Sequence, residues 1–180
     1  MLGFGLASRP LHGLAQAGGK PLNEPILVTS SGQALDAFTV KTLLGRAGIS
    51  PDYDPVAPAA KLEGKKTLVI AMGASIKGFG AAGITAETEL TRTRALFDAA
   101  KSKDITIVGV HIGGADRRGG ASEQFVQLVA PASDYLVVWK DGDKDSYFSN
   151  LAKEKNIPLT LIDQPLKVGT VLAKAFGKGS

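Results

Sequence analysis

A histidine, two neighbouring arginines and a lysine are the residues of this chain whose types and spacing best suit a chemical role. His111 ends an apolar run, and Arg117 and Arg118 follow it after a glycine-rich stretch, while Lys77 follows an earlier apolar run. Guanidinium groups donate paired hydrogen bonds to carboxylates and phosphates, and glycines let backbone approach a ligand closely. Residues 111–120 therefore predict a receptor for a carboxylate, phosphate or sulfonate.

Two other interpretations of these residues stay open. Adjacent arginines on a loop are often only solvated, and His111 would then do no more than end a strand. Alternatively, His111 would act as a general acid or base on a substrate held by Arg117 and Lys77, which would make the protein a hydrolase or transferase-type enzyme. In either functional case, we expect Asp116 to orient one arginine.

Two further segments place hydroxyls and glycines after apolar runs. In residues 30–36, serines precede a helix, and they either bind an anion with the first helical N–H groups or only cap the helix. In residues 73–83, we expect a long mobile flap that carries Lys77 over a bound anion; a glycine-rich surface loop without a ligand is the alternative. The residues predicted to bind the ligand are Ser30, Ser31, Gln33, Ser75, Lys77, Gly78, His111, Gly113, Arg117 and Arg118.

Two stretches match a known binding motif only in part. The residues that they lack argue against the corresponding binding sites. Residues 78–83 match G-x-G-x-x-G, but five residues separate them from the apolar run that ends at Met72, and His111 stands where a ribose-binding acid is expected. Residues 141–145 alternate aspartates as a calcium loop does, without the glycine and glutamate that an EF-hand requires. We predict a turn here, with Asp145 as the N-cap of the next helix.

The composition excludes further classes of function. The chain has 180 residues, no cysteine and two histidines, which removes thiolate and multi-histidine metal sites. Its net charge of +4 comes from scattered basic residues, which argues against nucleic acid. No segment has the roughly 20 apolar residues that span a bilayer. We expect no metal, no cofactor and no membrane span; a protein partner or a homodimer stays open.

The N-terminal segment has some features of an export signal. Ala15-Gln16-Ala17 has the form of a signal-peptidase site, although Arg9-Pro10 interrupts the apolar run before it. We expect residues 1–24 to be a leader remnant or a disordered extension, and residues 25–178 to form a single α/β domain. The protein is then expected in the periplasm or outside the cell, and otherwise in the cytoplasm.

Apolar runs alternate with amphipathic runs along the rest of the chain, which predicts a mainly parallel sheet between two layers of helices. We expect a three-layer sandwich of five or six strands, flavodoxin-like or Rossmann-like, with the ligand over its topological switch point. Strand 67–72 should lie between strands 26–29 and 105–111. The other predicted strands are 52–56, 135–139 and 159–162, and the predicted helices are 34–46, 86–102, 122–128, 146–155 and 166–176. Helix 34–46 should turn Leu35 and Phe38 inward.

The segments GASIKGFGAAGI, VGVHIGGADRRGGASEQF and DYLVVWKDGDKDSYF together resemble an uncharacterised family of exported bacterial α/β proteins, a domain of unknown function. The resemblance covers residues 25–176 and implies the fold and export, with no reaction, substrate or catalytic residues. From the residues themselves we expect a small-molecule-binding protein that holds an anion at the carboxyl ends of the strands. A partner-binding adaptor is a further alternative, and it would show an exposed apolar patch.

Overall fold

The computed structural model describes residues 20–178, which form one six-stranded sheet with helices on both faces. The strands are β1 (Ile26–Ser31), β2 (Asp52–Tyr53), β3 (Thr67–Met72), β4 (Thr106–His111), β5 (Tyr135–Trp139) and β6 (Leu159–Ile162). The helices are α1 (Asp36–Arg46), α2 (Ile76–Ala82), α3 (Ala86–Ser102), α4 (Gly120–Val129), α5 (Tyr147–Lys155) and α6 (Val168–Ala175). Within these residues, no helix combines the length and the apolar character needed to cross a bilayer.

The predicted α/β sandwich is confirmed by the burial of the central strands. Every residue of β1, β3 and β4 is buried, as expected for strands covered on both faces in a parallel sheet. Alternate side chains enter two separate cores because successive residues of a strand point to opposite faces. Val28, Val69 and Val108 pack with α1 and α6, whereas Leu68 and Ile70 pack with α3, α4 and α5.

All neighbouring strands are parallel, in the order β2-β1-β3-β4-β5-β6. The predicted pairings of β3 with β1 and with β4 are therefore confirmed. The chain leaves β1 toward β2 on one side and leaves β3 toward β4 on the other. This reversal places the topological switch point between the carboxyl ends of β1 and β3, an arrangement compatible with a flavodoxin-like fold.

Both interpretations of residues 73–83 as a glycine-rich loop are wrong in conformation, since Ile76–Ala82 is helix α2. Ser75 caps the helix by accepting a hydrogen bond from the Gly78 N–H at 3.1 Å, and Gly83 ends it with a left-handed φ of 66°. The two glycines inside α2 lower its intrinsic helix propensity, which is why the sequence favours a loop. Capping and tertiary contact outweigh that propensity.

The predicted inward face of helix 34–46 is also wrong. Leu35 and Phe38 of the predicted helix 34–46 point outward, because α1 buries the face formed by Ala37, Val40 and Leu44 instead.

Asp145 does not occupy the N-cap of α5; the cap position is Ser146, whose φ of 60° turns the chain. Asp143, nearly buried, accepts hydrogen bonds from the N–H groups of Phe148 at 2.7 Å and Ser149 at 3.3 Å. Asp145 accepts one from the Tyr147 N–H at 3.2 Å, so both aspartates order the start of α5.

Residues 20–24 pack against the amino ends of the strands, so the domain starts before the predicted residue 25. The side chain of Leu22 is buried, and the Tyr135 hydroxyl donates a hydrogen bond to the Lys20 carbonyl at 2.6 Å. The predicted extension is therefore too long at its C-terminal end. The leader hypothesis for residues 1–17 concerns a segment outside the described residues.

Candidate functional site

A groove of about 480 Å³ opens at the carboxyl edge of the sheet, between the loop that follows β3 and the loop that follows β4. It is lined by residues 74–77 and 116–122. Four of the predicted binding residues meet here: Ser75, Lys77, Arg117 and Arg118. Parallel strands bring these residues together because their carboxyl ends lie at the same edge of the sheet.

Arg117 crosses from one wall of the groove to the other. Its Nη1 donates a hydrogen bond to the Ala74 carbonyl, and its stem lies over Gly113, where an added Cβ would be 2.1 Å from Arg117 Cγ. Gly113, predicted to bind the ligand, thus makes room for the arginine stem. Among the ion pairs of residues 20–178, none includes Arg117.

The charge of Arg117 acts on the carboxyl of Asp36. Burial raises the pKa of Asp36, and the Arg117 guanidinium offsets this only in part. Asp36 Oδ2 is buried and has no hydrogen-bond partner within the described residues. Asp36 therefore lies close to Arg117 but accepts no hydrogen bond from its guanidinium within the described residues. The remaining N–H donors of Arg117 can bind a ligand in the groove.

Arg118 has a different environment from its neighbour. Its guanidinium donates to Asp145 at 2.8 and 3.0 Å and to Glu123 at 3.2 Å, and it lies over the rings of Tyr147 and Phe148 at 5.0 and 5.1 Å. The hydrogen bond from Arg118 lowers the pKa of Asp145. Two carboxylates thus compensate the charge of Arg118, whose contacts join the loops after β4 and β5.

The structure does not give Asp116 its expected role of orienting an arginine. Within the described residues, Asp116 forms no hydrogen bond with Arg117 or Arg118, and Glu123 and Asp145 orient Arg118 instead. Asp116 is exposed and lines the groove, where its charge opposes an anionic ligand.

His111 is fully buried at the end of β4, and it does not line the groove. Its ring lies 5.2 Å from the ring of Phe148, and an added Cβ at Gly142 would be 3.0 Å from it. Neither ring nitrogen has a hydrogen-bond partner within residues 20–178. Burial, with a smaller effect of the nearby Arg118, lowers the pKa of His111 to about 4, although Glu123 acts in the opposite direction. The ring is therefore neutral at neutral pH and shielded from solvent.

The first turn of α4 supplies backbone donors to the groove. Of the N–H groups at this helix end, that of Gly119 donates to the Glu123 carboxylate at 3.1 Å and that of Ser122 donates to the Gly119 carbonyl at 3.2 Å. Within the described residues, those of Gly120 and Ala121 are left for a ligand, and the partial positive charge of the helix end favours an anion. An added Cβ at Gly119 or Gly120 would meet no atom within 4 Å, so the space in front of this turn is open. Ser122 joins the two walls, since its Oγ accepts the Ala74 N–H at 3.0 Å.

Three predicted residues, two at the end of β1 and one just after it, lie outside the groove and form buried hydrogen bonds. Ser30 Oγ contacts the Ala34 carbonyl at 3.5 Å, Ser31 Oγ lies 3.0 Å from the hydroxyl of Thr93, and Gln33 Nε2 donates to Glu89 Oε1 at 2.8 Å.

The loops after β1 and β3 close the switch point itself. Gln33 and Ala74 form an antiparallel bridge, and the Ser75 N–H donates to the Gly32 carbonyl at 2.8 Å. Gly78, also predicted to bind the ligand, packs on this bridge: an added Cβ would be 2.3 Å from the Gln33 carbonyl oxygen. The open groove therefore lies one strand away from the expected position, between β3 and β4.

Two functional residues belong to none of the predicted sites: Glu89 and Thr93 of helix α3, which contact the loop after β1 and the last residue of β1. Both are fully buried, and they share the inward face of α3 with Leu96 and Ala100. The sequence does contain a signal for them, because residues 89, 93, 96 and 100 follow the helical repeat. This spacing puts two polar side chains on the same helix face as two apolar ones, where they are expected to be buried.

A second cavity, of about 540 Å³, lies at the opposite edge of the sheet, and its lining includes Lys20, Lys101, Lys155 and Asp134. Lys101 and Lys155 lie in the last turns of their helices, where the helix end carries partial negative charge. Lys20 pairs with Asp104 at 3.0 Å. These features make the second cavity a poorer anion receptor than the groove.

Within residues 20–178, no group of three or more acidic or histidine side chains could hold a metal ion. A family model described as Domain of unknown function (DUF6305) matches residues 23–176. A search of curated proteins finds no match to the chain.

Proposed function

Since the chain belongs to the family Domain of unknown function (DUF6305), whose description names no activity, we propose a function from the groove: the protein is a receptor for a small anion. The ligand class is a carboxylate, phosphate or sulfonate, bound without chemical change. The observation that carries this proposal is the meeting of Lys77, Arg117 and the first turn of α4 around one open groove.

The donors around the groove suit a tetrahedral or planar oxyanion. Arg117 offers a planar set of N–H groups, Lys77 offers a mobile ammonium, and α4 offers backbone N–H groups. Hydrogen bonds to a charged partner contribute about 1.5–3 kcal/mol each, so two or three of them give detectable binding to a preformed groove. Asp116 at the rim disfavours ligands of high negative charge at that end.

The proposal is tested by calorimetric titration of the protein with inorganic phosphate, acetate and methanesulfonate. Replacing Lys77 and Arg117 together by Gln should weaken binding of the preferred anion by about tenfold or more, since each lost charged hydrogen bond contributes 1.5–3 kcal/mol. Lys153 and Lys174, exposed on α5 and α6, replaced together by Gln give the charge-matched control, which should bind as the parent does. Arg118 stays unchanged in this test because its ion pairs join two loops.

Two outcomes of the titration contradict the proposal. If the double variant binds each anion as tightly as the parent, the groove is not the receptor. If the parent binds none of the three anions, the protein is not a receptor for small anions.

A specific observation favours a second candidate function, an adaptor that binds a protein partner. Leu35 is 78%, Phe38 52% and Leu166 65% exposed, and the last two line the same shallow depression of about 190 Å³ beside α1. Exposed apolar side chains that lie together are typical of interaction surfaces. If the parent protein binds none of the three anions, partner binding becomes the leading candidate function.

We further propose that the protein acts in the periplasm or outside the cell. The support is the Ala15-Gln16-Ala17 pattern near the N-terminus. N-terminal sequencing of the protein purified from its source tests this proposal. A protein that keeps Met1 and is recovered with the cytoplasm would overturn it.

A further inference from the structure

Glu89 is a fully buried carboxylate that accepts four hydrogen bonds. The Gly32 N–H donates to Oε1 at 3.0 Å, and Gln33 Nε2 donates to the same oxygen at 2.8 Å. Arg92, one helical turn further along α3, donates from Nε to Oε2 and from Nη2 to Oε1, both at 2.8 Å. Each of these bonds runs toward Glu89, as expected around an anion.

The carboxylate of Glu89 lies where the anionic groups of ligands bind in other open parallel sheets. In open parallel sheets, anionic groups of ligands bind at the switch point, on the N–H groups of the loop after the first strand. Here the switch point lies between β1 and β3, and the loop after β1 directs the Gly32 N–H to Glu89. Arg92 adds the guanidinium fork that commonly binds a carboxylate or phosphate.

We infer that the switch point is an anion-binding site that the chain fills with its own carboxylate, Glu89. The ligand that this site would take in place of the side chain is a small carboxylate such as formate or acetate. The site is distinct from the proposed groove, and its donors are Gly32, Gln33 and Arg92 rather than Lys77 and Arg117.

Glu89 also holds one wall of the groove in position. It fixes Gln33 through the amide nitrogen, and Gln33 forms the bridge with Ala74 and supports Gly78 of α2. Arg92 extends the same network by donating to the Ala57 carbonyl at 2.9 Å. Filling the switch point thus orders the loop after β1 and, through it, the start of α2.

Chemical rescue tests this inference. Glu89→Ala removes the carboxylate and leaves space for a small anion, so its melting temperature in chloride should fall by about 5 °C or more, because the half-buried Arg92 guanidinium loses its carboxylate partner. Sodium formate at the same ionic strength should recover at least half of that loss. Glu87→Ala, an exposed position on the same helix, is the matched control and should melt alike in both salts.

If Glu89→Ala does not fold in either salt, Glu89→Gln tests the inference in its place. The amide has the shape of the carboxylate without its charge, so we expect a lower melting temperature than that of the parent and no recovery in formate. The inference is overturned if formate does not recover the melting temperature of a folded Glu89→Ala, or if either Glu89 variant melts as the parent does. It is equally overturned if formate raises the melting temperature of Glu87→Ala as much as that of Glu89→Ala.

Discussion

At the scale of single residues, Arg117 and Arg118 differ although they are adjacent. Arg118 is paired with Glu123 and Asp145, whereas Arg117 donates to one backbone carbonyl and forms no ion pair within the described residues. An arginine held by two carboxylates contributes to structure, and an arginine without one keeps its charge for a ligand. Sequence alone could not distinguish them, because their partners lie 5 to 43 residues away along the chain.

His111 should make the stability of the protein depend on pH. Above about pH 6.5 its ring is neutral in both the folded and the unfolded chain. Between pH 6.5 and 4 the unfolded chain binds a proton that the folded protein does not, because burial lowers the folded pKa to about 4. Stability is therefore lost as the pH falls through this window, by up to about 3 kcal/mol.

Urea unfolding of the parent and of His111→Met, measured from pH 7 to pH 4, checks this prediction. The variant should lose about 2–3 kcal/mol less than the parent over that range. At pH 7 it should be at least as stable, since neither ring nitrogen has a partner to lose. Parallel loss of stability in the two proteins would show that His111 is not the group responsible.

At the scale of elements, the two glycines inside α2 should respond in opposite directions to alanine. Gly78→Ala brings a Cβ within 2.3 Å of the Gln33 carbonyl oxygen, and the resulting overpacking should cost about 1–3 kcal/mol. Gly80→Ala meets open space, so the better helix propensity should stabilise the protein by about 0.5–1 kcal/mol. The free energy of unfolding of each variant measures the effect. Equal effects of the two substitutions would mean that α2 does not pack on the loop after β1.

The sequence predicts some elements well because their signal is local. The continuous apolar run of β3 indicates a strand buried on both faces, and the structure confirms it; the predicted strand β4 is confirmed as well. Helix α2 was missed because its stability depends on the Ser75 cap and on contact with Gln33, 42 residues earlier along the chain than Ser75. Likewise, the local pattern at Asp145 did not reveal that Asp143 caps α5.

At the scale of the whole molecule, residues 20–24 should contribute to stability as part of the domain. A chain that begins at Pro25 loses the buried side chain of Leu22 and the carbonyl that accepts the Tyr135 hydroxyl, so it should melt several degrees below one that begins at Gly18. Thermal unfolding of the two truncated proteins checks this. Equal melting temperatures would show that the stable domain begins at residue 25, as predicted from the sequence.

The candidate site was predictable from the sequence in part. The strand order brings the loops after β3 and β4 together, so Ser75, Lys77 and Arg117 meet as expected. The residues after β1 do not join them, since the bridge between Gln33 and Ala74 closes the switch point and Glu89 occupies it from α3. Only three-dimensional packing shows which of several glycine-rich loops remains open.

The central claim is that an anion binds in the groove between the loops after β3 and β4. Titration of ¹⁵N-labelled protein with inorganic phosphate or acetate, followed by amide chemical shifts, tests it most directly. Saturable shifts should concentrate at residues 74–77 and 116–122, which line the groove, and be absent around the second cavity near Lys101 and Lys155. Shifts confined to that second cavity, or no saturable shift with either anion, would contradict the claim.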